Sequence, residues 1–450
     1  DEKGILIWQD FMFSCALYPA TPEFLANVKE EVTHQVKRLR DHACIALWCG
    51  NNECLGALNW FDVSRRNRDR YLVDYDRLYE GTIGQAVDVA DPTRLYWPSS
   101  PCGGRGDYSD CWHEDSRGDM HYWRVWHENA SIDAYFDVTP RFCSEFGYQS
   151  FPSLDTIATY APECQFNVTA PIMEHHQRHP GGNSKITEMM TRYFRVPEGF
   201  GNFVFLSQVQ QGLAIKSGVE FWRHLQPICM GTLYWQLNDV WPVCSWSSLE
   251  YTGKWKALHY MAKRFYAPVM VTAFQNQDDE LEVWVVNDGR EDRETNVNMQ
   301  VLDFEGKTRW NDEYRGMVPA GGAKLIGKYP VVELAPIPNE VFLYLELEGE
   351  GVHHYNDHFF TEYKRCHLPL VNFEIKVDDL DDCYQVKVTG DMPAFFLTLN
   401  ARGIAGEFDD NCFTLLPGES RILVFKPKQD STLTEFKNSL EIQHLRATYR

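Results

Sequence analysis

The chain of 450 residues and 52.3 kDa, with 44% hydrophobic content, exceeds one typical domain and can build a large core, so two or three domains are expected. The 64 carboxylates against 43 Lys plus Arg leave a net charge of −21, which excludes a phosphate-backbone partner such as nucleic acid. No apolar run of about 18 residues is present to span a membrane as a helix, and the 14% aromatic content suits sugar-ring faces as well as the packing of a large barrel with β-domains.

Asp1-Glu2-Lys3-Gly4 runs directly into the apolar Ile5-Leu6-Ile7-Trp8, so the chain is expected to begin within a domain. Residues 5–10 read as a buried strand. Thr21-Pro22-Glu23 then supplies an N-cap, a proline at the first helical position and an early acid, predicting a helix to about Arg40. Its Leu25, Val28, Val32, Val36 and Leu39 keep the spacing of one buried face. A strand over Ile45–Trp48 follows, ending at Gly50-Asn51-Asn52-Glu53. A second helical stretch covers Arg68 to Val89 before the strand Leu95-Tyr96-Trp97.

Met120–Trp126 and Arg141–Phe146 read as further strands, the first preceded by a long Gly-rich, charged loop over 103–119. A helix from about Ser207 to Leu225, a strand Gly231–Trp235 and a helix from Lys254 to Tyr266 complete six strand-plus-connection units. Such alternation predicts a parallel sheet, open or closed into a barrel. From about Met270 the pattern turns all-β, with Leu281–Val286, Val341–Leu345 and Tyr384–Val388 as strands, enough for two small sandwiches joined near 355–366.

The 13 cysteines are odd in number. Cys44, Cys49 and Cys54 read as small apolar residues, whereas Cys102 and Cys111, flanking the Gly-rich loop, are the expected local disulfide. Asn129-Ala130-Ser131 and Asn167-Val168-Thr169 are glycosylation sequons. His175-His176, His179 and His353-His354 lack the spacing of a zinc motif, so no metal site is expected.

Glu53 and Glu145 each stand where a strand-like run ends, and in a parallel barrel that rim carries the reacting groups. Two carboxyls on one rim are the equipment of a retaining glycosidase, one acting as acid/base and the other as nucleophile, with no cofactor. Asn52, beside Glu53, can hydrogen-bond a sugar 2-OH.

Leu6-Ile7-Trp8-Gln9-Asp10-Phe11, Trp48-Cys49-Gly50-Asn51-Asn52-Glu53, Tyr96-Trp97-Pro98-Ser99-Ser100-Pro101, Ser144-Glu145-Phe146-Gly147, Tyr234-Trp235-Gln236-Leu237-Asn238-Asp239 and Leu258–Pro268 occur in this order. Together they resemble the β-mannosidases of glycoside hydrolase family two, the lysosomal animal enzymes among them. The resemblance covers the whole chain. It implies an α/β plus all-β fold: a (β/α)8 TIM barrel lacking its first two strands, over residues 1–268, followed by immunoglobulin-like β-sandwiches over 269–358 and 359–450.

The resemblance further implies Glu53 as acid/base and Glu145 as nucleophile of an exo-acting enzyme that removes terminal β-mannose from oligosaccharides. Trp235 would be a sugar platform and Asp10 would lie near the sugar hydroxyls, with Trp97, His121 and Trp123 on neighbouring rim positions as substrate-binding residues. The N-terminal portion of the same enzyme, as a separate chain, is the expected partner that completes the barrel. The expected location is lysosomal, or alternatively secreted. β-Glucosaminidase or β-galactosidase activity, or carbohydrate binding without turnover, are the competing readings.

Overall fold

The computed structural model describes residues 1–450. They form two compact units, one of residues 1–123, 138–146 and 228–233, the other of residues 124–137, 147–227 and 234–450.

In the first unit, strands β1 (Ile7–Asp10), β2 (Ile45–Cys49) and β3 (Leu95–Trp97) form a parallel sheet in that order. Asp10 pairs with Cys49, and Cys49 with Trp97, so the three carboxyl ends lie level. The connection between β1 and β2 is helix α1 (Pro22–Leu39), opened as expected by Thr21, whose hydroxyl accepts from the Phe24 N–H at 3.4 Å. Val28, Val32 and Val36 are buried and Leu25 and Leu39 pack at the margin. Burying each such side chain contributes roughly 1.5–3 kcal/mol, so this valine face fixes α1 on the sheet.

The stretch expected to be one helix runs as Arg68–Asp76, a π-helix over Arg77–Gly84, and Gln85–Ala90. It buries Tyr75, Leu78, Tyr79, Ile83 and Val87 in the same core. Two further parallel strands, β4 (Met120–Tyr122) and β5 (Cys143–Phe146), pair His121 with Glu145.

Three expectations need correction here. The strand expected over Met120–Trp126 stops at Tyr122, and Arg124–His127 turn helically, because β5 offers pairing partners only as far as Phe146. The strand expected over Gly231–Trp235 is reduced to one parallel bridge, Thr232 to Cys143, carried by Cys143 N–H to Gly231 O (3.0 Å) and Leu233 N–H to Cys143 O (2.9 Å). Cys102 and Cys111, expected to bridge, are both free thiols, as are all 13 cysteines. Cys102 belongs to the apolar core and Cys111 lies 3.7 Å from the Ser109 hydroxyl, so each sulfur has its own surroundings.

The second unit is organised on the helix Gly199–His224, which starts two turns before the expected position and is buried on most of its faces. The buried amide of Gln211 is satisfied on both sides, accepting from Ser150 Oγ at 2.6 Å and donating to Tyr148 O at 2.8 Å. The helix Ala257–Phe265 packs against it.

Strands β6 (Val269–Gln275), β7 (Glu280–Asn287), β8 (Arg293–Asp303), β9 (Thr308–Val318), β10 (Gly322–Pro330), β11 (Val341–Gly349) and β12 (Val352–Phe359) form two antiparallel sheets, β10–β7–β6 and β12–β11–β8–β9. Alternate residues such as Val283, Val285, Val297, Met299, Leu343 and Leu345 share one core between them. A second sandwich pairs β13 (Phe373–Leu380), β14 (Cys383–Gly390), β18 (Ser420–Pro427) and β16 (Gly406–Phe408) with β17 (Phe413–Leu415), β15 (Ala394–Ala401) and β19 (Leu440–Gln443). Its core includes Val386, Leu397, Leu415, Phe425 and Phe436.

Candidate active site

At the carboxyl ends of β1–β3 the following loops are laced together. Asn52 N–H reaches Phe13 O (2.9 Å), Ser100 N–H reaches Asn51 O (2.9 Å) and Glu53 N–H reaches Ser100 O (2.8 Å). Asn51 caps the helix Cys54–Trp60, its Oδ1 accepting from Cys54 N–H at 2.9 Å while its Nδ2 donates to Pro98 O at 2.9 Å. Capping by Asn51 leaves the Glu53 side chain free of that duty. Glu53 holds the left-handed backbone (φ 57°, ψ 12°) and makes no cap bond, a conformation unusual for a side chain of this kind and retained where surrounding bonds enforce it.

The Glu53 carboxyl is nearly buried, at 8% exposure, and meets His121: Oε1 lies 2.8 Å from Nδ1. Its other oxygen is 3.4 Å from the Cys15 thiol. Glu145 comes from β5 to the same ring nitrogen, with Oε1 at 3.8 Å from His121 Nδ1 and accepting the Trp123 indole N–H at 3.1 Å. The ligand atoms of Glu53, His121 and Glu145 all lie within 4.8 Å of one another.

Beneath them sits Asp119, which accepts from Trp97 Nε1 (2.8 Å), Cys102 N–H (3.0 Å), Ser100 Oγ (2.7 Å) and Ser144 Oγ (2.6 Å). Ser100 Oγ also lies 2.9 Å from His121 Nε2.

Burial raises the Glu145 pKa to about 7, with the negative charges of Glu53 and Asp10 adding to it and His121 and the Trp123 bond opposing it. For His121, burial depresses the pKa, but Glu145, Glu53 and Asp119 outweigh it and lift it to about 9. Burial likewise pushes the Cys15 thiol up to about 12, so it stays neutral, and raises Asp10 against the bonds from Cys49 and Trp8. Two carboxyls, a buried imidazole and an indole donor can accept, hold and release a proton and present one ionised oxygen as a nucleophile.

Of the residues singled out from sequence, Glu53, Glu145, His121, Trp123 and Asn52 converge here. His121 lies at 1% exposure on the floor and Trp97 turns its indole to Asp119, so both support the carboxyls from behind. Asn52 reaches Ser14 Oγ (3.4 Å) and Cys15 Sγ (3.7 Å). Asp10 accepts the Trp8 indole N–H at 2.9 Å at the end of β1. Trp235 belongs to the other unit, where it is 44% exposed.

The sequons lie in that unit too. Asn167 is exposed, its Oδ1 accepting from the Thr169 hydroxyl at 2.9 Å, whereas Asn129 is tied to Glu188 (2.7 Å) and Lys185 (3.0 Å). Sequence reasoning missed Asp119, Ser100, Ser144 and Cys15; the Ser-Ser-Pro after β3 and the Ser before Glu145 were the only signals.

Glu53, His121 and Glu145 are also a donor set that could hold a metal ion, as are Glu346, Glu348 and the exposed His353 on β11 and β12. In the first set, Nδ1 and Oε1 already meet each other at hydrogen-bond distance.

A family model for a mannosidase Ig/CBM-like domain matches residues 279–365, and one for an Ig-fold domain matches residues 368–448. The β-mannosidase of Capra hircus is 33% identical over 477 aligned residues, covering 100% of this chain and 54% of that protein. The crystal structure of β-D-mannosidase from Dictyoglomus thermophilum is similar with a TM-score of 0.87 at 30% identity, over 98% of this chain and 53% of that one. An exo-chitosanase of Amycolatopsis orientalis, 15% identical with a TM-score of 0.67 over 95% of this chain and 54% of its own, shares the fold. The chain spans about half the length of the curated relatives it matches. Similarity to named β-mannosidases runs along the whole chain in sequence and over 98% of it in structure.

Proposed function

We propose that this chain carries the catalytic carboxyls of a retaining exo-β-mannosidase, a glycoside hydrolase acting on terminal non-reducing β-D-mannose of oligosaccharides. One observation carries the reading: oxygens of Glu53 and Glu145 lie within 4.8 Å of each other, both beside His121 Nδ1. Retaining enzymes hold their carboxyls about 5–5.5 Å apart, whereas inverting ones leave about 6.5–9.5 Å for a water.

Glu145, ionised, attacks the anomeric carbon as the glycosidic C–O bond breaks, and Glu53 gives its proton to the departing oxygen. Glu53 then takes a proton from water, whose oxygen displaces Glu145 from the same carbon, with net retention. Trp123 holds Glu145 in its attacking orientation and His121 holds Glu53. Asn52 and Asp10 are assigned to the sugar. The steps need no metal.

The parallel pairings of β1–β2–β3 and β4–β5 and the bridge to Thr232 support reading residues 1–268 as strands three to eight of a (β/α)8 barrel, with sandwiches over 269–358 and 359–450. The outer edge of β1 is unpaired, and Ile5 and Leu6 beside it are 67% and 72% exposed. An open apolar edge of this kind calls for cover, and the N-terminal portion of the same enzyme is its proposed partner. Lysosomal or secreted placement fits the exposed sequon at Asn167.

The test is hydrolysis of aryl β-mannoside, β-galactoside and β-glucosaminide by the whole protein, with Glu145→Gln and Glu53→Gln beside it. Selective mannoside turnover lost in Glu145→Gln supports the reading. Turnover of another glycoside alone overturns the sugar, and no turnover overturns the activity.

A further inference from the structure

Asp119 is 3% exposed and accepts four hydrogen bonds, two of them from hydroxyls that both meet Oδ2: Ser100 Oγ at 2.7 Å and Ser144 Oγ at 2.6 Å. A serine hydroxyl has one proton. Having given it to Asp119, Ser100 offers only lone pairs to His121 Nε2, 2.9 Å away, so Nε2 must bring the hydrogen. The opposite tautomer would turn the Ser100 proton toward Nε2 and leave two bare oxygens facing each other at 2.7 Å.

On the far side of the ring, Nδ1 faces Glu53 Oε1 at 2.8 Å. With Nε2 committed to Ser100, that gap holds one proton, on the carboxyl or on the imidazole.

We propose that Asp119 and Ser100 are positioning residues of the acid/base: the Asp119 carboxylate, through the Ser100 hydroxyl, fixes His121 as the Nε2–H form, so that Nδ1 and Glu53 share the proton that Glu53 delivers to the leaving group. The proposal rests on the reading of Glu53 as acid/base. When the glycosidic bond breaks, that one proton passes to the leaving oxygen. The emptied pair is a carboxylate oxygen and a nitrogen lone pair facing across 2.8 Å, and this is the base that takes the proton of the attacking water in the second step. No other proton changes place.

The charged and titratable groups facing His121 are Glu53 from the loop after β2, Glu145 from β5, Asp119 ahead of β4 and Asp10 at the end of β1. Behind them stand two thiols, Cys15 against Glu53 and Cys49 against Asp10, both kept neutral by burial. Every facing charge is negative, which favours keeping the shared proton.

Ser100→Ala isolates the relay, because Asp119 keeps Trp97, Cys102 and Ser144 while His121 Nε2–H loses its acceptor. In the full-length protein, with whichever aryl β-glycoside it hydrolyses, the alkaline limb of kcat/KM should move down by about one pH unit, a tenfold loss of proton affinity of the size of one hydrogen bond. KM should stay nearly constant and Ser100→Thr should restore the limb. A folded Ser100→Ala protein whose kcat falls evenly at all pH overturns the proposal. A second readout is independent of turnover: the 15N shifts of the His121 imidazole in 15N-histidine-labelled protein, assigned with His121→Gln. A protonated Nε2 in the wild type supports the relay, and an unprotonated one overturns it even if every glycoside proves inert and the enzymatic reading fails.

Discussion

The Trp123 indole N–H points at Oε1 of Glu145 across 3.1 Å, and Glu145 has no arginine or lysine partner to neutralise it. A buried carboxylate held by one neutral donor and one imidazole is weakly stabilised as an anion, which is why its pKa is raised. The indole bond lowers that pKa, so Trp123→Phe should raise it further. In the proposed mechanism Glu145 is the nucleophile and must be ionised, so the acid limb of kcat/KM should shift to higher pH. Above the limb, kcat should fall about ten- to a hundredfold, the range for a hydrogen bond to a charged group. A pH series on an aryl β-mannoside measures both.

Glu53→Gln removes a negative charge that raises the Glu145 pKa. The acid limb should therefore move to lower pH, opposite in sign to Trp123→Phe. With a poor leaving group, kcat should fall about 10²–10⁴-fold, the usual worth of general acid catalysis, and with a strongly activated aryl leaving group far less. A limb that stays put in Glu53→Gln would count against the electrostatic coupling of the two carboxyls.

The local rules of the chain were legible: the Thr21-Pro22-Glu23 start of α1, its valine face, and the strand ends that deliver Glu53 and Glu145. What escaped was set by tertiary partners. Asp119 closes a charged, Gly-rich loop that reads as solvated, yet it is buried because donors from positions 97, 100, 102 and 144 converge on it. The two extra turns of the helix Gly199–His224 contain Gly199 and Gly201, poor helix formers that packing overrides. Residues 231–235 look like a strand by composition, but pairing needs a neighbour, and here only Cys143 supplies one. Cys102 and Cys111 carried the spacing of a bridge; spacing holds no information about which way each sulfur points.

Proton linkage fixes how stability depends on pH. Glu145 is raised to about 7 from 4.5 and His121 to about 9 from 6.5, so in both windows the folded state binds more protons than the unfolded chain. Stability contributed by these groups is therefore fully present at low pH and is lost as pH rises, through about 7 for Glu145 and about 9 for His121. Glu145→Gln removes a carboxyl whose ionised form is costly to bury. Its Tm should exceed wild type by on the order of a few °C at pH 8 and match it at pH 4.5. Thermal unfolding across pH 4.5–9 reads this directly; equal Tm values at pH 8 would mean that Glu145 is not strained by burial.

Gly118 sets Asp119 in place. Its backbone is left-handed (φ +65°), and a Cβ there would stand 1.9 Å from the Cys102 carbonyl oxygen, a backbone atom that cannot swing aside. Gly118→Ala should cost about 1–2 kcal/mol from the left-handed conformation alone, with the clash adding to it. The relief open to the chain is to move residues 118–119 away from Cys102, which draws Asp119 off the Cys102 N–H and the Ser100 hydroxyl. We expect Gly118→Ala to lose activity beyond its loss of stability, with its alkaline limb displaced in the same direction as that of Ser100→Ala. Gly106, also left-handed (φ +77°) but with open space around it, is the control: Gly106→Ala should carry the backbone penalty and leave the pH profile in place.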